Sequence, residues 1–251
     1  MDKQHQPLLQ PRQPLHQHQP QQLDQPSHQL RLNKFLAERL GISRREADDA
    51  IGGGKVLING KIAVLGSRID NNDKICYNNK VVPFATDFLY LALNKPVGYV
   101  CSRKKQGDAP TIYELLPKKY QALKSVGRLD KDSSGIILLT NDGDFAFQMT
   151  HPKFIKTKIY EVQLSRALEP LHQQEISDFG IEIGDGISKL GLTRLDDSRL
   201  NWEVTMSEGR NRQIRRTFNA LGYQVVKLHR KQFGQYALSG LKPGEFSEFK
   251  S

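Results

Sequence analysis

Residues 126–144 run Val126-Gly127-Arg128-Leu129-Asp130-Lys131-Asp132-Ser133-Ser134-Gly135-Ile136-Ile137-Leu138-Leu139-Thr140-Asn141-Asp142-Gly143-Asp144. A polar loop containing glycine leads into Ile136–Leu139, an apolar run with the length and branching of a buried strand. Asn141-Asp142-Gly143 is a turn signal that ends it. Asp130 therefore sits in a loop just ahead of a core strand, with Arg128 two residues before it. A loop carried on a rigid strand is a common seat for a catalytic carboxylate. An aspartate in a loop also serves as turn former or helix cap, and composition alone does not choose between these roles. A calcium loop would want Asp or Asn at its fifth position and Glu at its twelfth, where this chain has Ser134 and Asn141. An Asp-x-Asp phosphoryl-transfer motif fits the letters, but Gly127 and Arg128 interrupt the strand expected directly before it.

Downstream, Asp142 to Met149 reads as a short helix. In Tyr160-Glu161-Val162-Gln163-Leu164 the alternation places Tyr160, Val162 and Leu164 on one face of a strand. On that pattern alone Tyr160 is a core aromatic. Leu200 to Met206 is another strand. Ile214, Phe218 and Leu221 recur at helical spacing before Gly222, so an amphipathic helix follows. From Arg210 to Lys231 there are seven basic residues and no acidic one, an electrostatic footprint for a polyanion.

Upstream, Phe88 to Pro96 is a strand ended by a proline, and Ser102 to Pro110 is a charged loop, either a flap or a solvated connection. Residues 81–87 form a short linker. Leu32, Phe35, Leu36 and Leu40 make a helical stripe stopped by Gly41, and Ser43-Arg44-Arg45-Glu46 has the form of a capping box opening a second helix. Val56-Leu57-Ile58 and Lys61-Ile62-Ala63-Val64 flank Asn59-Gly60, a tight-hairpin signal. Arg44 and Arg45 sit at the positive end of a helix dipole, which costs each about 0.3–1 kcal/mol when exposed. A docked phosphate would turn that penalty into a binding site; compensation by Glu46, Asp48 and Asp49 is the alternative.

The 251-residue chain holds one large or two modest domains, and 37% hydrophobic residues suffice for a packed core. A net charge of +10 suggests a nucleic-acid partner. Two cysteines, Cys76 and Cys101, without metal-ligand spacing argue against a disulfide framework or structural zinc and fit a reducing cytoplasm. No apolar run reaches membrane-span length, and the N-terminus lacks a signal-peptide core. Residues 1–29, rich in Gln, His and Pro without periodicity, are expected to be a disordered tail. No sustained interface pattern appears, so a monomer is expected.

Gly127-Arg128-Leu129-Asp130 with Ser133-x-Gly135 and the aliphatic run resembles the signature of the RsuA family of pseudouridine synthases, and the resemblance extends from about Leu30 to Phe249. Leu32–Leu36, Ser43–Ala47 and Val56–Lys61 resemble the small RNA-binding domain of the ribosomal-protein-S-four type. The resemblance implies an α+β protein. A small α-L RNA-binding domain over residues 30–80 would precede a mixed, mostly antiparallel-sheet catalytic domain over residues 88–251. It implies Asp130 as catalytic aspartate. Lys158-Ile159-Tyr160-x-Val162 resembles the segment supplying the active-site tyrosine. Gln213-Ile214-Arg215 resembles the segment whose arginine pairs with the aspartate. Leu228-His229-Arg230 resembles the closing segment, with Leu228 against the base. Lys34, Arg44, Arg45, Lys61, Arg128, Arg212, Arg216 and Arg230 would contact RNA. Neither metal nor organic cofactor is implied. The expected substrate is ribosomal RNA, by motif closest to the large-subunit branch, with tRNA as another target. A non-catalytic ribosome-assembly factor is the alternative that Asp130, Tyr160 and Arg215 together argue against. A metal-dependent nuclease using Asp130 and Asp132 has no matching acidic cluster elsewhere.

Overall fold

The computed structural model describes residues 29–250 except 86, 104 and 105, so the expectation for residues 1–28 lies outside the described residues. The first unit runs β1 (Leu30–Arg31), α1 (Leu32–Arg39), α2 (Arg44–Gly52), β2 (Val56–Ile58), β3 (Lys61–Ile62), β4 (Arg68–Ile69), β5 (Ile75–Tyr77) and β6 (Lys80–Val81). Leu32, Phe35, Leu36, Ala47, Ala50 and Ile51 turn one face of both helices into a shared core with Val56, Ile69 and Ile75. Ser43 caps α2 as its spacing predicts. Glu46 N donates to Ser43 Oγ at 3.1 Å, and Ser43 N donates to Glu46 Oε2 at 2.7 Å. Asn59 and Gly60 both have positive φ, 51° and 81°, the backbone that a two-residue hairpin between β2 and β3 requires. The sheet order is β3-β2-β5-β6. Val82 is buried in this core and the Phe84 ring lies 4.6 Å from that of Phe35, so packing of the small unit continues to Phe84.

The second unit runs β7 (Tyr90–Lys95), β8 (Lys124–Val126), β9 (Ser134–Thr140), α3 (Gly143–Thr150), β10 (Lys158–Leu164), α4 (Pro170–Gln174), β11 (Ile181–Glu182), β12 (Ile187–Ser188), β13 (Gly191–Arg194), β14 (Asn201–Met206), α5 (Gln213–Ala220), β15 (Val225–Phe233), β16 (Tyr236–Ala237) and β17 (Phe246–Glu248). Its main sheet is ordered β13-β14-β10-β15-β9-β7-β17, with β8 on β9 and β16 on β15. Its pairs are antiparallel except β9 with β15, which matches the expected α+β class.

The unbroken apolar run of β9 has a physical cause. Ile137 and Leu139 face the larger core, while Ile136 and Leu138 face a second core that includes Phe145 and Met149 of α3. Both faces are covered, so both must be apolar. β10 shows the expected alternation instead, with Tyr160, Val162 and Leu164 buried. The nine-residue β15 was not legible as a strand: although Lys227, His229 and Lys231 alternate, the inward face carries the buried Arg230, and two register shifts against β10 interrupt the pairing.

The two units touch. Lys124 Nζ donates to the carbonyls of Ile42 at 2.8 Å and Ala37 at 3.3 Å, closing the C-terminal end of α1. Lys34 Nζ lies 2.5 Å from Asp144 Oδ1 at the start of α3.

Candidate active site

The loop before β9 is anchored from beneath. Asp130 O accepts from Ser133 N at 3.1 Å, forming a tight turn, and Lys131 O accepts from Gly98 N at 2.8 Å. Lys95, fully buried at the end of β7, donates from Nζ to Ser133 O at 2.6 Å and Pro96 O at 3.0 Å. Burial lowers its ammonium pKa, partly opposed by the Cys101 thiol and by Asp130 and Asp132. Cys101 Sγ lies 3.4 Å from Leu129 N and 3.3 Å from Leu129 O. The backbone bearing Asp130 is thus held on a rigid base while its side chain remains about one-third exposed.

Above that loop opens a cleft of about 580 Å³. Its walls include Leu129 and Asp130, Tyr160 of β10, Met206, Ile214 of α5, and Leu228 and Phe233 of β15. Arg128, Lys156, Lys158, Arg210, Arg212 and Arg230 also line it, against only two lining carboxylates, Asp130 and Glu208. Burial lowers the Lys158 ammonium pKa, and Arg230 adds to this; Lys158 Nζ donates to Glu208 O at 3.0 Å.

Five of the side chains expected at the site or on RNA sit differently from the sequence reading. Arg215 does not pair with Asp130. Its Nε is 3.3 Å from Asp132 Oδ2, Nη2 donates to Asp132 O at 2.9 Å, and Nη1 donates to Val225 O at 2.7 Å. From the first turn of α5 it staples the loop to the start of β15, and it does not line the cleft. Arg212 is the guanidinium beside Asp130, with Nη1 3.6 Å from Asp130 Oδ2, and it grips Asp132 with two hydrogen bonds of 2.9 and 3.0 Å. Arg212 reaches this position through a left-handed backbone, φ 47° and ψ 31°, at the N-cap of α5. Arg212 and Arg215 sit in one basic run, and letters alone could not tell which faced the aspartate. The hydrogen bonds from Arg212, reinforced by Arg215, hold the Asp132 carboxyl pKa below the usual aspartate range.

Arg216, expected on RNA, is partly exposed and paired at the surface: it donates to Asp185 Oδ2 at 2.7 Å and to the carbonyls of Ile183 and Asn211. Arg230 is buried in the cleft wall, its Nε donating to Ile136 O at 2.9 Å and its guanidinium 4.9 Å from the Phe233 ring, so it is no surface phosphate contact. Lys34 is engaged with Asp144 at the junction of the two units. Arg44, Arg45 and Lys61 are exposed on the small unit, and Arg128 is exposed on the cleft rim. Asp130, Tyr160 and Leu228 converge on one cleft, although 98 residues of sequence separate the first from the last. Lys95 and Cys101 escaped the reading by residue type. Lys95 lay in a strand read only as ended by Pro96, and Cys101 was read only as a cysteine without metal-ligand spacing.

A basic cleft with a one-third-exposed aspartate on an anchored turn, a buried tyrosine on its wall and a small helix–helix–sheet unit in front fits an enzyme that works on a base within a polynucleotide. The sequence pattern of the RNA pseudouridylate synthase family matches residues 89–220, and that of the S4 domain matches residues 30–82. The chain is 38% identical to ribosomal small subunit pseudouridine synthase A of Pasteurella multocida (strain Pm70), covering 86% of this chain and 94% of that protein. It is 34% identical to ribosomal large subunit pseudouridine synthase B of Bacillus subtilis (strain 168), covering 87% and 91%. A solved pseudouridylate synthase crystal structure superposes with a TM-score of 0.63 at 37% identity, over 88% of this chain and 96% of that one. The chain belongs to the RNA pseudouridylate synthases, in the RsuA branch that carries an S4 domain, and it is an RNA pseudouridine synthase.

Proposed function

We propose that Asp130 is the nucleophile of this reaction and that the cleft above it receives a single uridine flipped from the RNA. The observation that carries the reading is the position of Asp130: a one-third-exposed carboxylate on an anchored turn, lining the basic cleft and 3.6 Å from the Arg212 guanidinium. Attack by the carboxylate on the nucleoside allows the N1–C1′ bond to break. The uracil turns within the cleft, C5 joins C1′, the bond to the Asp130 carboxylate breaks, the C5 proton leaves and N1 gains one. Atoms balance without a redox step. Unstacking a base costs a few kcal/mol, on the order of 1–3 of which stacking on Tyr160 returns. Leu228, Met206 and Ile214 supply apolar walls that exclude water from the base.

The motifs at residues 127–133 and 211–216 support a large-subunit RNA target. The 38% identity to a small-subunit enzyme favours a second reading, small-subunit RNA. We take the enzyme to act as a cytoplasmic monomer, consistent with its two free cysteines. The test is tritium release from C5-tritiated, unmodified transcripts of each ribosomal RNA. Wild type is expected to release tritium from one of them. Asp130→Asn is expected to bind that RNA with unchanged affinity and to release none. Release by Asp130→Asn near the wild-type rate would remove Asp130 from the chemistry.

A further inference from the structure

Beside the cleft, three rings cluster at the end of α3 and in the turn over residues 152–154. The Phe147 and His151 centroids are 4.6 Å apart, and the Phe147 and Phe154 centroids 5.8 Å apart at 87°. Phe147 is 44% exposed and Phe154 36% exposed, so the rings pack on one another while leaving surface to water. Lys153 Nζ stands 4.7 Å from the Phe154 ring and 5.4 Å from the Phe147 ring. His151 Nδ1 accepts from Lys153 N at 3.3 Å, which fixes its ring in the cluster.

Scattered exposed apolar residues need no explanation, but a contiguous patch marks an interaction surface. This patch is continuous with the cleft, because Thr150, His151, Pro152 and Ile155 of the same segment line it. Ile155 ends the segment in the left-handed region, φ 42°, with its side chain 70% exposed. A β-branched residue held there is strained, and such strain persists where the surroundings enforce a geometry.

We propose that Phe147, His151 and Phe154 form a stacking platform for an unpaired RNA base next to the uridine that enters the cleft, with Lys153 meeting the adjoining phosphate. The proposal rests on the reading that the cleft receives a flipped uridine. An RNA loop whose target base has left its stack presents neighbouring bases unpaired, and aromatic faces take such bases without regard to sequence. The cation within the ring cluster matches a phosphate and would be misplaced on an apolar protein-docking face.

The test compares the full-length protein with Phe147→Ala/Phe154→Ala, Phe147→Trp/Phe154→Trp and Lys153→Gln on the unmodified ribosomal transcripts, by filter binding across salt concentrations and by tritium release. The double alanine variant is expected to bind about 5- to 100-fold more weakly with an unchanged salt slope, and to raise KM while kcat holds. The tryptophan pair is expected to bind within about twofold of wild type, because a stacking face remains. Lys153→Gln is expected to lower the salt slope by about one contact. Both exposed positions tolerate alanine without loss of fold, which an unchanged thermal midpoint verifies. Wild-type affinity in the double alanine variant overturns the proposal. So does equal loss in the alanine and tryptophan pairs. So does a dimer seen by sedimentation that the alanines abolish while RNA affinity holds. If wild type itself releases no tritium, the catalytic reading fails, and the affinity comparison still decides the platform.

Discussion

Arg212 and Arg215 lie three residues apart and do different work. Arg212 faces the cleft and both aspartates, whereas Arg215 is mostly buried and ties Asp132 to Val225. Arg212→Met is expected to reduce tritium release about tenfold or more while RNA affinity stays within a few-fold, because the charge beside Asp130 is lost. Arg215→Met is expected to cost about 1–2 kcal/mol of unfolding free energy in urea, since the part-buried Val225 carbonyl and the Asp132 carbonyl lose a charged donor. Reversal of the two effects would restore Arg215 as the partner of Asp130. The Asp132 carboxyl pKa is depressed in the folded protein, so the folded state binds fewer protons than the unfolded one. The stability this contributes is present above the ordinary aspartate range and is lost as pH falls through the lowered value. Wild type is therefore expected to lose thermal stability on acidification through this window more steeply than Asp132→Asn; parallel acid limbs would show that the pair contributes nothing.

At the scale of the element, the site depends on how closely β9 meets β15. Gly135 has φ 110° and pairs with Arg230. A Cβ on it would stand 2.2 Å from Arg230 O and 2.5 Å from Arg230 N. No rotamer change relieves a clash with backbone. That contact sets the Asp130 loop beside Leu228 and Arg230. Gly135→Ala is expected to lose about 2–4 kcal/mol in urea unfolding and to lower tritium release with it. An unchanged urea midpoint would mean the two strands do not approach so closely. Gly135 was legible as part of a motif, but the motif did not say that β15 lay against it, because parallel partners far apart in sequence leave no local mark.

For the whole molecule, the question is what sets the small domain against the cleft. Lys124, at the start of β8, donates to the Ala37 carbonyl in the last turn of α1 and to the Ile42 carbonyl in the loop after it, and Lys34 reaches Asp144. Lys124→Met removes a charged donor from both carbonyls without adding bulk. It is expected to loosen the domains, seen as faster proteolysis over residues 83–89 and a larger radius of gyration. The same cleavage rate and radius as wild type would assign the docking to other contacts. Lys34, read as an RNA contact, is one of these ties, since its side chain lies within reach of Glu38 and Asp144 rather than on the open face with Arg44 and Arg45.

Local signals determined the class. The capping box at Ser43, the Asn59-Gly60 hairpin, the alternation of Tyr160, Val162 and Leu164, and the helical spacing of Ile214 and Phe218 each act within a few residues, and each forms as its spacing predicts. The motif around Asp130 carried the family because catalysis concentrates chemistry in one loop. Only the tertiary structure decided which arginine stands beside Asp130, that Arg216 pairs with Asp185, that Arg230 is turned inward, and that Lys95 holds the loop from below. Charge and spacing are blind to these choices. Whether a guanidinium meets an aspartate, a carbonyl or solvent depends on the handedness of one backbone turn at Arg212 and on strands brought together from distant parts of the chain.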